Sequence, residues 1–131
     1  MTSSTRKLFV YVVDDDADVL GSLRFLLETD GFEVRTFRSS EALLDTPTSD
    51  GADCFVIDHK MPGMTGIKLT DVLRTRKIDV PVILITGYLD GNIANKAVAA
   101  GISHVLLKPH VEESLAAHIR DAIDTGRQPD L

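Results

Sequence analysis

Apolar positions along the chain fall into five short runs, and each run is followed by a segment with apolar residues at helical spacing. Four runs are apolar almost throughout, and the central ones are too apolar for strands with a solvent-exposed face, as in a parallel sheet covered on both sides. They cover residues 8–13, 54–57, 82–85 and 104–107. Residues 32–37 instead alternate between apolar and charged positions, which indicates a half-exposed strand at a sheet edge.

The segments after the runs carry apolar residues three and four positions apart, which is typical of amphipathic helices. The first helix is predicted over residues 16–30 and ends before Gly31, in the usual C-terminal glycine position. The last helix is predicted from Val111 through Ile123, after which residues 126–131 are expected to fray.

Strand and helix thus alternate five times, which predicts an α/β fold: a doubly wound, five-stranded parallel sheet with helices on both sides. The strand order 2-1-3-4-5, that of flavodoxin-like folds, leaves the alternating second strand at an edge. No repeat or linker interrupts the pattern. Residues 8–125 are therefore predicted to form one domain, with a polar tail over residues 1–7 and a frayed tail over 126–131.

Composition excludes several classes of protein. The first apolar run is too short for a membrane span or a signal sequence, and the formal net charge of −6 argues against direct nucleic-acid binding. Cys54 is the single cysteine, so no internal disulfide or thiolate metal site is expected, and a reducing cytoplasm fits best. The four histidines show no ligand spacing in the sequence.

Polar residues follow the predicted strands directly. Because parallel strands end at one rim of the sheet, these side chains are expected to meet there. They are Asp14, Asp15 and Asp16 after the first strand, Asp58 after the third, Thr86 after the fourth and Lys108 after the fifth. Each has an ordinary structural interpretation alone: a helix cap for Asp16, a turn residue for Asp58.

Convergence changes that interpretation. Carboxylates about 4 Å apart repel by roughly 4 kcal/mol per pair at an effective dielectric constant near 20, so the cluster requires a cation. Oxygen ligands suit Mg²⁺, and Mn²⁺ is expected to substitute for it. A carboxylate beside Mg²⁺ can attack a phosphoryl group, with Lys108 and Thr86 placed to stabilise the added oxygens.

Four motifs resemble the receiver domain of two-component response regulators, a CheY-like fold, and most closely its FixJ-type branch. They are VYVVDDDADVL at residues 10–20, CFVIDHKMPGMTG at 54–66, VILITGY at 82–88 and HVLLKP at 104–109. The resemblance covers residues 8–125 and implies a role for each matching residue. Asp58 resembles the phosphoacceptor, Asp14 and Asp15 the Mg²⁺-binding pair, the Lys60 backbone carbonyl a further metal ligand, Thr86 the switch hydroxyl, and Lys108 the phosphoryl-contacting amine.

The resemblance also implies a cis bond before Pro109. The chain departs from the family in two places: Val105 stands where an aromatic switch residue is common, and His110 replaces the usual phenylalanine. Any switch is therefore expected to use the loop after the fourth strand, where Tyr88 is the nearest bulky side chain. Lys60 and Tyr88 occupy positions that flank water access to the phosphoryl group, and their bulk is expected to slow hydrolysis.

The sequence thus predicts a stand-alone receiver that takes a phosphoryl group from a sensor histidine kinase or a histidine phosphotransfer protein. It is expected to signal to an unidentified output protein or in a phosphorelay, as a monomer or weak homodimer without membrane insertion. Its chemistry is self-directed phosphotransfer and autodephosphorylation, so it is predicted to be a switch and not a turnover enzyme.

Two alternatives remain open at this point: a phosphorylation-independent adaptor, and a Mg²⁺-dependent phosphohydrolase of the haloacid dehalogenase kind. The second requires a DxDx[TV] motif after the first strand, and DDDAD lacks it. Flavodoxin-like cofactor binding is weaker still, because no glycine- or hydroxyl-rich phosphate loop follows the first strand.

Overall fold

The computed structural model describes residues 7–47 and 51–127. Five strands form one sheet, and each is followed by a helix. The strands are β1 (Phe9–Val13), β2 (Glu33–Phe37), β3 (Cys54–Asp58), β4 (Val82–Thr86) and β5 (His104–Leu107). The helices are α1 (Ala17–Thr29), α2 (Ser40–Leu44), α3 (Gly66–Thr75), α4 (Gly91–Ala99) and α5 (Leu115–Arg127), with a 3₁₀ helix over His110–Glu113 before α5.

The sheet is parallel throughout, in the order β2-β1-β3-β4-β5. The predicted fold, strand order and edge position of β2 are therefore confirmed. Val13 pairs with Ile57 across β1 and β3, so the residues that follow them, Asp14 and Asp58, emerge side by side. The chain leaves β1 and β3 toward opposite edges of the sheet, and ligands bind at this point in doubly wound folds.

The two sheet faces are buried in separate apolar clusters. Val10, Val12 and Val56 pack with α1 and α5 on one face, and Tyr11, Val13 and Ile57 pack with α2 and α3 on the other. Burying each such side chain contributes about 1.5–3 kcal/mol, which is why the central strands are continuously apolar. The edge strand β2 also contributes to both faces, with Val34 in one cluster and Phe37 in the other.

The last helix differs from the prediction at both ends. Val111 belongs to the 3₁₀ helix, and α5 begins only at Leu115, because Ser114 adopts a non-helical φ of −134° between them. Val111 and Leu115 are both buried all the same. Their four-residue spacing, which suggested one helix, arises from two separate elements that each bury one side chain. At the other end α5 includes Gly126, whose backbone lies near the Pro81 ring. The first two residues of the tail predicted over 126–131 are therefore helical. Residues 128–131, and residues 1–6 of the predicted polar tail, lie outside the described residues.

Two compositional predictions can be compared with the structure. Cys54 is a free, buried cysteine in β3, and burial raises the pKa of its thiol to about 12, so it stays protonated and unreactive. In residues 7–47 and 51–127, every helix is too short or too polar to cross a membrane.

Candidate functional site

Three acidic side chains converge at the carboxyl end of the sheet. One oxygen from each of Asp14, Asp15 and Asp58 lies within 4.8 Å of the others. Asp14 and Asp58 are buried, whereas Asp15 is exposed at the mouth of the crevice. Among the described residues this is the one group of three with carboxylate, imidazole or thiol ligand atoms already so close.

The buried carboxylates are costly to ionise in this arrangement. Burial raises the pKa of Asp14 to about 6, and the charge of Asp58 adds to the effect, while the Asp16 backbone N–H donates to Asp14 Oδ1 at 2.9 Å and opposes it. Burial likewise raises the pKa of Asp58, although Lys108 counteracts the rise. A divalent cation would relieve the repulsion and restore the ionised forms.

Asp16 does not join this group. Its side chain caps α1 and accepts hydrogen bonds from the backbone N–H groups of Asp18 and Val19, at 2.9 and 3.3 Å. The ordinary interpretation of this residue as a helix cap is therefore confirmed.

Lys108 follows β5 and reaches across to Asp58. Its Nζ lies 3.0 Å from Asp58 Oδ1, and its side chain remains 42% exposed toward the crevice mouth. The ammonium group forms an ion pair with buried Oδ1, which has no other polar partner among the described residues. Burial alone would lower the pKa of Lys108, but contact with Asp58 outweighs it and raises that pKa. The Lys108–Pro109 bond is cis, as predicted.

Thr86, the last residue of β4, is buried, and its hydroxyl group is held by the following loop. Oγ1 donates to the Tyr88 carbonyl at 2.9 Å and accepts from the Tyr88 N–H at 3.3 Å. Tyr88 itself is 67% exposed. Val105 is half-buried on β5, and His110 is exposed and lies 3.5 Å from Glu113.

The loop that carries Lys60 is fixed by contacts that sequence reasoning missed. The His59 N–H donates to the Ile85 carbonyl at 2.8 Å, and the Gly66 N–H donates to the His59 carbonyl at 2.9 Å. Buried Ser40 on α2 donates to the Met64 carbonyl at 3.3 Å. The Lys60 side chain is exposed.

Two clefts are lined by residues that follow the strands. One, of about 210 Å³, is lined mainly by apolar side chains of α1 and the segment after β5, with Asp14 and Lys108 at its polar end. The other, of about 500 Å³, lies beside the loop after β4 and is lined by Lys60, Thr86 and Tyr88.

A family model described as the response regulator receiver domain matches residues 10–120. The chain belongs to the response regulator receiver family. The FixJ transcriptional regulatory protein of Bradyrhizobium diazoefficiens is 37% identical over 119 residues, which are 91% of this chain and 58% of that protein. The TodT response regulator protein of Pseudomonas putida is 33% identical over 125 residues, 95% of this chain and 55% of that protein.

Solved structures agree with this receiver assignment. A crystal structure named FixJ-N is 33% identical, with a TM-score of 0.82 over 97% of this chain and all of that one. A receiver domain from Clostridium thermocellum is 30% identical, with a TM-score of 0.83 over 92% of this chain and 97% of that one. The receiver chain spans less than two thirds of its curated relatives, so their remaining length has no counterpart in the match.

Proposed function

We propose that this receiver accepts a phosphoryl group on Asp58 from a phosphohistidine of a sensor histidine kinase or histidine phosphotransfer protein. The supporting observation is the Asp58 carboxylate, buried beside Asp14 and Asp15 and 3.0 Å from the Lys108 ammonium group. A buried nucleophile between carboxylates and one amine is suited to binding a phosphoryl group through a cation and a fixed positive charge.

Mg²⁺ fits the donor set of this site. Carboxylate and carbonyl oxygens are its preferred protein ligands, and buried Oδ1 of Asp58 has Lys108 as its one polar partner among the described residues. Asp14, Asp15, Asp58 and the Lys60 backbone carbonyl would hold the ion, with Mn²⁺ as a substitute. Bound there, the ion neutralises charge on the phosphoryl oxygens.

The protein groups would divide the transfer among them. A carboxylate oxygen of Asp58 forms the new P–O bond as the donor's P–N bond breaks, and the electron pair of that bond returns to the donor imidazole. Lys108 is placed to stabilise the negative charge on the transferred group. Because autodephosphorylation requires water at the same phosphorus atom, residues lining the adjacent cleft would set its rate.

Switching would pass through Thr86. To reach a phosphoryl oxygen, its hydroxyl must release the Tyr88 carbonyl, to which it now donates. That release frees the loop after β4, which carries exposed Tyr88 and Leu89 side chains. Since Val105 offers no aromatic ring to move with Thr86, the changed surface would centre on this loop, where an output protein or a second receiver would bind.

Incubation with acetyl phosphate and Mg²⁺, followed by intact-mass measurement, tests the proposal. We expect one acid-labile phosphoryl group, absent from Asp58→Asn and from samples with a chelator. A folded, Mg²⁺-binding protein that stays unmodified would favour the phosphorylation-independent adaptor, which Val105 keeps in consideration. A cytoplasmic location, a monomer or weak homodimer, and a stand-alone mode of action stay predictions, and the proposal concerns the receiver unit alone.

A further inference from the structure

Two histidines and an aspartate lie together on β5 and α5, away from the phosphorylation site. His104 begins the edge strand β5, and His118 and Asp121 lie one turn apart on α5. His104 Nε2 is 2.9 Å from Asp121 Oδ2, and the His104 and His118 ring centroids are 4.7 Å apart. The sequence shows no ligand spacing because the fold, not the local sequence, brings β5 and α5 together.

The His104–Asp121 contact already has the spacing of two metal ligands. A tetrahedral Zn²⁺ ion with bonds near 2 Å holds its ligand atoms roughly 3.3 Å apart. The observed 2.9 Å therefore needs only a small expansion. The ion would replace the proton that the imidazole shares with the carboxylate, and that proton would pass to solvent.

His118 is oriented as metal-binding histidines commonly are. Its Nδ1 lies 2.9 Å from the Ser114 backbone carbonyl, and because a carbonyl only accepts, Nδ1 carries the proton. Nε2 is then left with a free lone pair. A carbonyl that fixes one ring nitrogen in this way is the usual outer support of a histidine ligand.

We propose that His104, His118 and Asp121 bind one Zn²⁺ ion or a similar divalent transition metal, with water completing the coordination. The site is half-assembled, because the ligand atoms of His104, His118 and Asp121 do not all lie within 4.8 Å of one another. Among the described residues, Asp14, Asp15 and Asp58 are the one trio that meets this distance. To complete the histidine site, the exposed Asp121 side chain and the His104 ring must shift toward His118, whose ring keeps its hydrogen bond to Ser114. Imidazole ligands select Zn²⁺ over Mg²⁺, so the two sites differ in metal preference.

The location permits entry and gives binding a structural effect. The His104 and Asp121 side chains are 28% and 63% exposed, so an ion reaches them from solvent. A bound ion would tie α5 to the edge strand β5. It is therefore expected to raise the melting temperature of the folded protein.

Titration of the untagged full chain with Zn²⁺ tests the site, with millimolar Mg²⁺ present to occupy the acidic trio. Calorimetry should give one ion per chain with an affinity in the micromolar range, and Co²⁺ should give the visible absorbance of a low-symmetry site. His118→Ala, Asp121→Asn and His104→Gln should each weaken binding about tenfold or more and abolish the Zn²⁺-induced rise in melting temperature.

His110→Ala is the matched control, because exposed His110 also lies near a carboxylate, Glu113 at 3.5 Å, but has no second histidine. It and Asp58→Asn should bind Zn²⁺ as the unmodified chain does. Binding that survives in His118→Ala, or that disappears in Asp58→Asn, would overturn the proposal and leave the cluster as an ion pair with a packed ring. His118 is only half-buried on α5, so its variant is expected to fold, and circular dichroism checks this.

Discussion

Individual side chains determine how readily this site holds charge. Asp14 is almost completely buried, at 3% exposure, yet it is one of three carboxylates in the crevice. Its neighbours and its burial raise the cost of ionisation, and no local sequence signal shows how deeply the side chain lies. The energetic state of the cation-free site is thus a property of the fold.

The pH dependence of stability should reveal this cost. Burial raises the pKa of Asp14 from 3.8 to about 6, so the folded state holds its proton to higher pH than the unfolded state does. Without divalent cations, Asp14 should therefore contribute a rise in the free energy of unfolding as pH falls from 7.5 toward 5. Asp14→Asn should flatten this dependence and stabilise the cation-free protein at pH 7.5 by about 1–3 kcal/mol.

Urea unfolding in a chelator at both pH values makes this measurement. Asp124→Asn, an exposed change on α5, is the control and should behave as the unmodified protein does. An Asp14→Asn variant that is no more stable than the control at pH 7.5 would contradict the electrostatic account of the site.

Tyr88 is expected to control the lifetime of the phosphoryl group. Its ring stands beside the cleft lined by Lys60 and Thr86, through which water would approach. Tyr88→Ala should shorten the phosphoryl lifetime, whereas Leu89→Ala, at a neighbouring exposed residue, should change it little. Loss of acid-labile phosphate after removal of the donor measures this; equal decay in Tyr88→Ala and the unmodified protein would refute the role.

At the scale of elements, the apolar pattern predicted every strand: nearly continuous runs marked β1, β3, β4 and β5, and alternation marked the edge strand β2. Helix boundaries were less predictable. The spacing from Val111 to Leu115 fits one continuous helix, yet both side chains reach the core from a 3₁₀ helix and α5 separately. Periodicity records which side chains face the core and not where the backbone changes conformation.

Long-range polar contacts between elements left no sequence signal. The Arg74 guanidinium on α3 donates to the backbone carbonyls of four residues outside that helix, Ile78, Val80, Ala100 and Gly101. It thereby joins α3 to the loops before β4 and β5. In the sequence, an arginine at a helical position gives the same pattern whether its side chain is solvated or donates hydrogen bonds to two loops.

The packing of α3 against β3 should tolerate no side chain at Gly66. A Cβ there would lie 2.7 Å from Leu84 Cδ1 and 2.8 Å from the Asp58 carbonyl. Gly66→Ala should destabilise the protein by about 1–3 kcal/mol and, by displacing the end of β3, weaken Mg²⁺ binding. Gly21→Ala in α1, where a Cβ meets nothing within 4 Å, should instead stabilise it by about 0.5–1 kcal/mol.

Urea unfolding and Mg²⁺ titration of these two variants give the comparison. If Gly66→Ala is as stable as Gly21→Ala, α3 does not position the end of β3.

At the scale of the molecule, the order of strands creates the site. β1 and β3 are neighbours whose connections run to opposite edges, so Asp14 and Asp58 meet although they are far apart in sequence. This convergence was predictable, because strand-end residues in a parallel sheet share one rim. The hydrogen bond from Thr86 to Tyr88 and the histidine pair on β5 and α5 were not, since they depend on loop geometry and packing between elements.

Identification of the phosphorylated residue tests most directly whether Asp58 is the phosphoacceptor. Protein treated with acetyl phosphate and Mg²⁺ is reduced with borohydride, which converts an aspartyl phosphate to homoserine, and its peptides are then sequenced by mass spectrometry. We predict homoserine at position 58 alone, in an amount that falls sharply in Lys108→Met. Homoserine at position 14 or 15, or phosphate retained only on histidine, would contradict it.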